Sequence, residues 1–219
     1  MANGEGNPLL TGLLVAGFAI AAFYAVDAAY DWSDDRIAAN ERARVVARLN
    51  SVLEPALRGR DLTTTLLGVT DSELLGSQAP IDVFVLTDRG APMATVFATV
   101  APHGYNASIA LLIGVSPIGT VTGVRAVRHR ETQGLGDAIE TARSDWILQF
   151  DSKALTAPAE ELWAIDQDEG AFDAISGATV TSRAVVAAVK NTLLYFEQHQ
   201  DELYARAAEA AAAAQTSER

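Results

Sequence analysis

The chain has 219 residues, carries a formal net charge of −12 and contains no cysteine. That length accommodates one domain of ordinary size with an appendage or two. The missing cysteine excludes disulfides, thiolate metal sites, iron-sulfur clusters and a cysteine nucleophile, and an acidic chain without clustered Lys and Arg excludes a nucleic-acid partner.

The first informative stretch is P-L-L-T-G-L-L-V-A-G-F-A-I-A-A-F-Y-A-V, residues 8–26, nineteen residues without a charge. At about 1.5 Å per residue such a helix spans roughly 28 Å, close to the hydrocarbon thickness of a bilayer. The preceding residues 1–7, M-A-N-G-E-G-N, lack the basic n-region of a signal peptide, so an uncleaved transmembrane anchor is predicted. Arg36, Arg42 and Arg44 lie on the C-terminal flank, and by the positive-inside rule they argue for a cytoplasmic main domain.

Residues 27–78 read as an amphipathic helical connector. Ser33, Asp34 and Asp35 form a plausible helix start, and Val45, Val46, Leu49, Val52, Leu53 and Leu57 recur at helical spacing until Gly59. From Pro80 to His129 the period changes. Four runs rich in β-branched residues, at 81–88, 93–100, 106–115 and 119–127, are divided by R-G-A-P, P-H-G-Y and S-P-I-G turn signals. Short turns make antiparallel pairs, so a meander with one covered face is expected. Helices are predicted from Asp137 to about Ala154 and from Thr181 to about Tyr204, followed by an Ala-rich tail at 205–219 that is helix-capable and frayed. The fold class is therefore α+β: an antiparallel sheet with flanking helices in a domain at 79–204, behind a single N-terminal transmembrane helix.

Chemistry concentrates at 173–183, D-A-I-S-G-A-T-V-T-S-R, where four hydroxyls surround one Gly-Ala pair at the mouth of a helix. A hydroxyl nucleophile needs a base and an orienting group, yet the three histidines suggest no triad, and no G-x-S-x-G, phosphate-loop, G-x-G-x-x-G or H-E-x-x-H pattern is present. No catalytic residue and no metal site is predicted. From spacing alone two readings stand: Ser176, Thr179, Thr181 and Ser182 supply a helix cap, or the helix N-terminus, small residues and spare hydroxyls bind a phosphate.

S-G-A-T-V-T, with Asp173 three residues before Ser176, resembles the flavinylation motif D-x-x-[ST]-G-A-T-x-[ST]. In that motif the last hydroxyl is esterified to the phosphate of FMN. The resemblance implies covalent FMN on Thr181, with Asp173, Ser176, Gly177, Ala178 and Thr179 around it. It also implies a separate flavin transferase that uses FAD and magnesium. R-H-R-E-T-Q-G-L-G-D-A-I-E, residues 128–140, resembles the H-x-E-T-P-G-L-G segment of the G subunit of the Rnf-type ion-translocating electron transport complex, with Gln133 in place of the usual proline. By that resemblance Glu131, Thr132, Gly134, Leu135 and Gly136 form a wall of the flavin site. Trp146 reads either as a ring that stacks on the flavin or as core, and His129 as structural.

The family implies a cytoplasmic N-terminus, one anchor in the bacterial inner membrane and a periplasmic FMN domain, opposite to the charge bias. It implies an electron relay among the other subunits of a complex that couples ferredoxin and NAD redox chemistry to ion translocation, with no independent catalysis. The alternatives are the C subunit of a sodium-translocating NADH:quinone reductase, a flavin-bearing regulatory membrane protein, and an unmodified periplasmic interaction domain.

Overall fold

The computed structural model describes residue 18, residues 45–60 and residues 62–217. Two compact units are present, Met1–Ala47 and Arg48–Arg219. Of the first unit only Phe18 and residues 45–47 are described, all helical. The expected anchor at 8–26 therefore lies outside the described residues except at Phe18. Among the described residues no helix is long and apolar enough to cross a membrane.

The second unit is built on five strands, β1 (Thr63–Asp71), β2 (Ser77–Asp88), β3 (Ala91–Ala101), β4 (Ile109–Val115) and β5 (Val121–Arg128). They pair in sequence order, every pair antiparallel, as the short turns between them dictate. The expected runs at 81–88, 93–100, 106–115 and 119–127 match the last four strands. The first strand does not match, since Thr63–Asp71 falls inside the expected helical connector. T-T-T-L-L-G-V-T-D buries only Leu67 and Val69 and carries a glycine, so its periodic signal is weak, and it is held by pairing to β2.

Alternation sends the side chains of each strand to two faces. Val83, Val85, Phe97, Ile109, Leu111, Ile113 and Val124 face the principal core. There they meet the long helix (Thr179–Ser217), which supplies Val185, Val186, Val189, Leu193 and Phe196. The opposite face is covered as well, because Leu49, Val52, Leu53 and Leu57 pack on Leu86, Ala94, Val96 and Leu112. Gly114 and Gly123 sit opposite each other in the β4–β5 ladder, and a Cβ on Gly123 would lie 2.9 Å from Val52 Cα. The glycine pair thus lets the 48–57 backbone settle on the sheet, where Thr122 Oγ1 donates to the Val52 carbonyl at 2.6 Å. Of the apolar positions read at helical spacing, Leu49, Val52, Leu53 and Leu57 pack on the sheet, whereas Val45 and Val46 are exposed.

Two helical expectations need correction. Asp137–Ala154 is not one helix but two 3₁₀ turns, Gly136–Ile139 and Trp146–Phe150. Ile139, Ile147 and Phe150 are buried as their spacing suggested, but Ser144 breaks the helix between them. Its hydroxyl donates to the Ala138 carbonyl at 2.7 Å and accepts the Trp146 N–H at 3.2 Å, replacing bonds that a continuous helix would make. At the C-terminus the helix does not end near Tyr204. It runs on through the Ala-rich segment to Ser217, with Ala207 the last buried residue among the described side chains. High alanine propensity carries the remaining turns without a core.

Candidate functional site

The four hydroxyls of the 176–182 stretch have separate environments. Ser182 is fully buried; its Oγ accepts the Ile175 N–H at 2.9 Å and donates to the Ala178 carbonyl at 3.1 Å, which ties the incoming loop to the first helical turn. Thr179 Oγ1 donates to Gln167 Oε1 at 3.1 Å, and Ser176 is exposed. Thr181, only 1% exposed, donates its hydroxyl proton to Glu131 Oε2. Ser182 N–H is bonded to the Ala178 carbonyl at 3.0 Å, so the N–H groups of Thr179, Val180 and Thr181 precede the first intrahelical bond and have no carbonyl of their own helix to meet. They give the site a positive end of the helix dipole.

Glu131 is brought there by the loop after β5. His129 Nδ1 accepts the Glu131 N–H at 3.2 Å, while His129 Nε2 is paired with Glu140 Oε1 at 2.7 Å. With Nδ1 accepting, Nε2 carries the proton, so His129 is a structural strut. The Glu131 carboxylate, 6% exposed, takes the N–H groups of Tyr105 at 3.2 Å and Asn106 at 3.3 Å in addition to the Thr181 hydroxyl. Asn106 Nδ2 donates in turn to the Arg130 carbonyl at 2.9 Å and to Thr132 Oγ1 at 3.3 Å. The turn between β3 and β4 and the loop after β5 are thereby locked together. A Cβ on Gly136 would fall 2.8 Å from Glu131 Cβ and 3.1 Å from Thr181 Oγ1, so no larger residue fits between them without a shift.

Above this floor opens a cleft of about 440 Å³, lined by Tyr105, Glu131, Thr132, Leu135, Gly136 and the 177–181 turn. Its size is that of a small-molecule pocket, roughly 300–1,000 Å³. Tyr105 is 67% exposed, and Leu135 and Val180 are exposed apolar residues beside it. A rim of exposed apolar side chains over a floor of N–H groups, the Thr181 hydroxyl and the Glu131 carboxylate that accepts its proton suits a ligand with a flat apolar body and an anionic end that meets the N–H groups.

Of the residues singled out from sequence, Glu131, Thr132, Leu135, Gly136, Gly177, Ala178, Thr179 and Thr181 line this one cleft. Gly134 does not. At φ +77° it shapes the turn in which Leu135 N–H and Asp137 N–H both reach the Thr132 carbonyl. Asp173 and Ser176 are exposed and are not lining residues. The backbone of Asp173 bridges to the neighbouring turn: its N–H donates to Gln149 Oε1 at 2.8 Å and its carbonyl accepts Trp146 Nε1–H at 2.7 Å. Trp146 packs edge-on against Phe150 at 5.7 Å, on the principal core and away from the cleft, so of its two readings the core one holds. Tyr105 and Val180 were missed. The signal for Tyr105 was an aromatic residue within a P-H-G-Y-N turn, where nothing in the local pattern calls for burial.

The family described as the FMN-binding domain matches residues 104–194, from the β3–β4 turn into the long helix. The G subunit of the ion-translocating oxidoreductase complex of Shewanella baltica (strain OS223) is 35% identical over 199 residues, covering 90% of this chain and 94% of that protein. The corresponding subunit of Shewanella amazonensis is 36% identical over 195 residues, with 89% and 91% covered. That of Vibrio cholerae (strain O395) is 37% identical over 193 residues, with 88% and 92% covered. With such identity sustained along nearly the whole of both chains, and with an FMN-binding domain spanning the cleft, this protein belongs to the family of G subunits of ion-translocating oxidoreductase complexes.

Proposed function

We propose that this flavoprotein subunit relays electrons through an FMN esterified by its phosphate to Thr181, in a membrane complex that couples ferredoxin and NAD redox chemistry to ion translocation. The observation that carries the reading is the convergence of the Thr181 hydroxyl, the free N–H groups of the helix start and an exposed apolar rim on one cleft. The residues fit the group: Thr179 to Thr181 offer N–H donors to a phosphate, and Tyr105, Leu135 and Val180 offer apolar surface to a flat ring. FMN, when bound, supplies the one-electron chemistry, and the chain supplies position, electrostatics and a docking surface.

An ester bond retains the cofactor in a compartment without a flavin supply, which fits a periplasmic domain on an inner-membrane anchor at residues 8–26. A flavin transferase is then a partner in maturation, and the other subunits of the complex are partners in function. Membership of the G-subunit family favours this placement over the C subunit of a sodium-translocating NADH:quinone reductase.

Two experiments test the reading. A phosphatase reporter fused after Arg219 is active if the domain is periplasmic; activity of a cytoplasmic reporter alone at that position refutes the orientation. Thr181→Ala in the assembled complex abolishes electron flow between ferredoxin and NAD while leaving the other subunits in place. Wild-type flow in that variant refutes the relay.

A further inference from the structure

A phosphate pocket is ordinarily lined by N–H groups, hydroxyls, Lys or Arg. This one has a buried carboxylate at its floor. Glu131 is 6% exposed and hydrogen-bonded to the very oxygen that the proposed function esterifies. As a bystander, an ionised Glu131 would face a phosphodiester anion in a site of low dielectric, an arrangement that costs several times what it would in water. Among the described residues that line the cleft there is no Lys or Arg to offset it: Arg130 and Arg128 are exposed and line a separate cleft, and Arg143 is engaged with Asp137 at 3.5 Å.

The geometry points to a different role, resting on the reading that Thr181 is the attachment residue: we propose that Glu131 accepts the Thr181 hydroxyl proton during esterification and afterwards keeps it, facing the ester phosphate as a hydrogen-bond donor. The Thr181 hydroxyl already aims its proton at Oε2, which leaves the oxygen lone pairs to form the new bond. As Thr181 Oγ1 bonds to the flavin-side phosphorus of FAD, the phosphoanhydride P–O bond breaks and AMP leaves with its electron pair. The hydroxyl proton goes to Glu131, and nothing is oxidised or reduced.

Three features prepare the carboxylate for this work. Tyr105 N–H and Asn106 N–H fix its two oxygens, so it is oriented before the donor arrives. His129, the nearest imidazole in the loop, is spent on the Glu131 backbone and Glu140, so it does not compete as the base. Gly136 leaves room between Glu131 and Thr181 for neither a side chain nor a displaced carboxylate. The missing-base problem posed by the sequence thus has an answer within the chain, fifty residues upstream of the nucleophile.

The test is a transfer assay on the full chain in detergent, with purified transferase, FAD and magnesium, scored as flavin fluorescence that survives denaturation. Initial rates are measured against acceptor concentration. Glu131→Gln keeps an oxygen for the backbone donors and loses the base, so kcat falls by about 10² to 10⁴-fold with KM unchanged. Should that variant fold poorly by circular dichroism, Glu131→Asp and Glu131→Ala serve instead: the first retains part of the rate, and the second is slow but is accelerated by added acetate, an effect that a merely structural role does not produce. Wild-type kcat in Glu131→Gln, or a slow Glu131→Ala that neither acetate nor the aspartate variant improves, overturns the proposal while leaving the attachment site intact. Label that persists in Thr181→Ala, or that never forms on the wild-type chain with an active transferase, overturns the attachment reading itself.

Discussion

Replacing Gly136 by alanine isolates the packing at the floor of the cleft. The added Cβ would lie 2.8 Å from Glu131 Cβ and 3.1 Å from both Glu131 Oε2 and Thr181 Oγ1. Carbon atoms rest at about 3.5–4.0 Å, so the overlap with Glu131 Cβ is close to an ångström. Neither neighbour yields cheaply: Glu131 is pinned by two backbone N–H groups and the Thr181 hydroxyl, and Thr181 is 1% exposed in the first turn of the long helix. Overpacking of this kind costs about 1–3 kcal/mol. In a domain of this size that is a fall in Tm of roughly 2–12 °C. Gly134→Ala is the control. Nothing lies within 4 Å of its Cβ, but φ is +77°, so it loses about 1 kcal/mol of backbone energy without disturbing Glu131. Differential scanning calorimetry of the two variants, with flavin incorporation measured on each, separates the effects: Gly136→Ala should impair both stability and incorporation, Gly134→Ala stability alone. A Gly136→Ala protein that melts with the wild type and incorporates flavin normally would refute the close approach of the loop to Thr181.

Ser182→Ala should cost about 1–3 kcal/mol in urea denaturation, because it strands the buried Ile175 N–H that now has Ser182 Oγ at 2.9 Å. Thr95→Val should be neutral or stabilise by about 1 kcal/mol in the same assay, since the Thr95 hydroxyl is buried with no hydrogen-bond partner among the described residues and valine keeps its shape. The Arg183 guanidinium bonded to Asp168 holds that carboxyl below its ordinary value of 3.8. A depressed folded-state pKa gives stability that is present above the unfolded value and lost as pH falls through the folded one. The stability difference between wild type and Asp168→Asn should therefore be constant near neutral pH and vanish as pH drops below 3.8, and a difference that grows on acidification would contradict the pairing.

The sheet was legible because β2 to β5 carry β-branched runs separated by Gly and Pro turns; only one covered face was expected, whereas both are covered and the middle strands are almost continuously buried. β1 was hidden because an edge strand with two buried residues leaves almost no pattern, and its placement depends on pairing with β2, which sequence alone does not display. The segment after Gly136 misled for the opposite reason. Ile139, Ile147 and Phe150 are buried at spacings a helix would also produce, and only the side-chain bonds of Ser144 disclose the break. At the site, Gly177, Ala178, Thr179 and Thr181 meet Glu131, Thr132, Leu135 and Gly136 at one cleft while Gly134, Asp173 and Ser176 stay outside it, and this division of labour did not show in the motif. Ser182 fastens the loop and Thr181 faces Glu131, although the two hydroxyls are adjacent in sequence. Asp173 belongs to the motif yet contributes backbone bonds to the Trp146 turn instead of a wall of the cleft. Tyr105 reaches the cleft from a turn that no local signal links to residue 181, since long-range proximity comes from the β3–β4 pairing and the Glu131 network.

Peptide mapping by mass spectrometry, on the full chain produced together with an active flavin transferase, decides whether Thr181 carries the flavin. One FMN per chain is expected, located on the peptide containing Thr181 and absent from Thr181→Ala. An unmodified Thr181 peptide under conditions in which a control acceptor is fully labelled would contradict the attachment, and Thr181 would then be a buried helix-start hydroxyl held by Glu131.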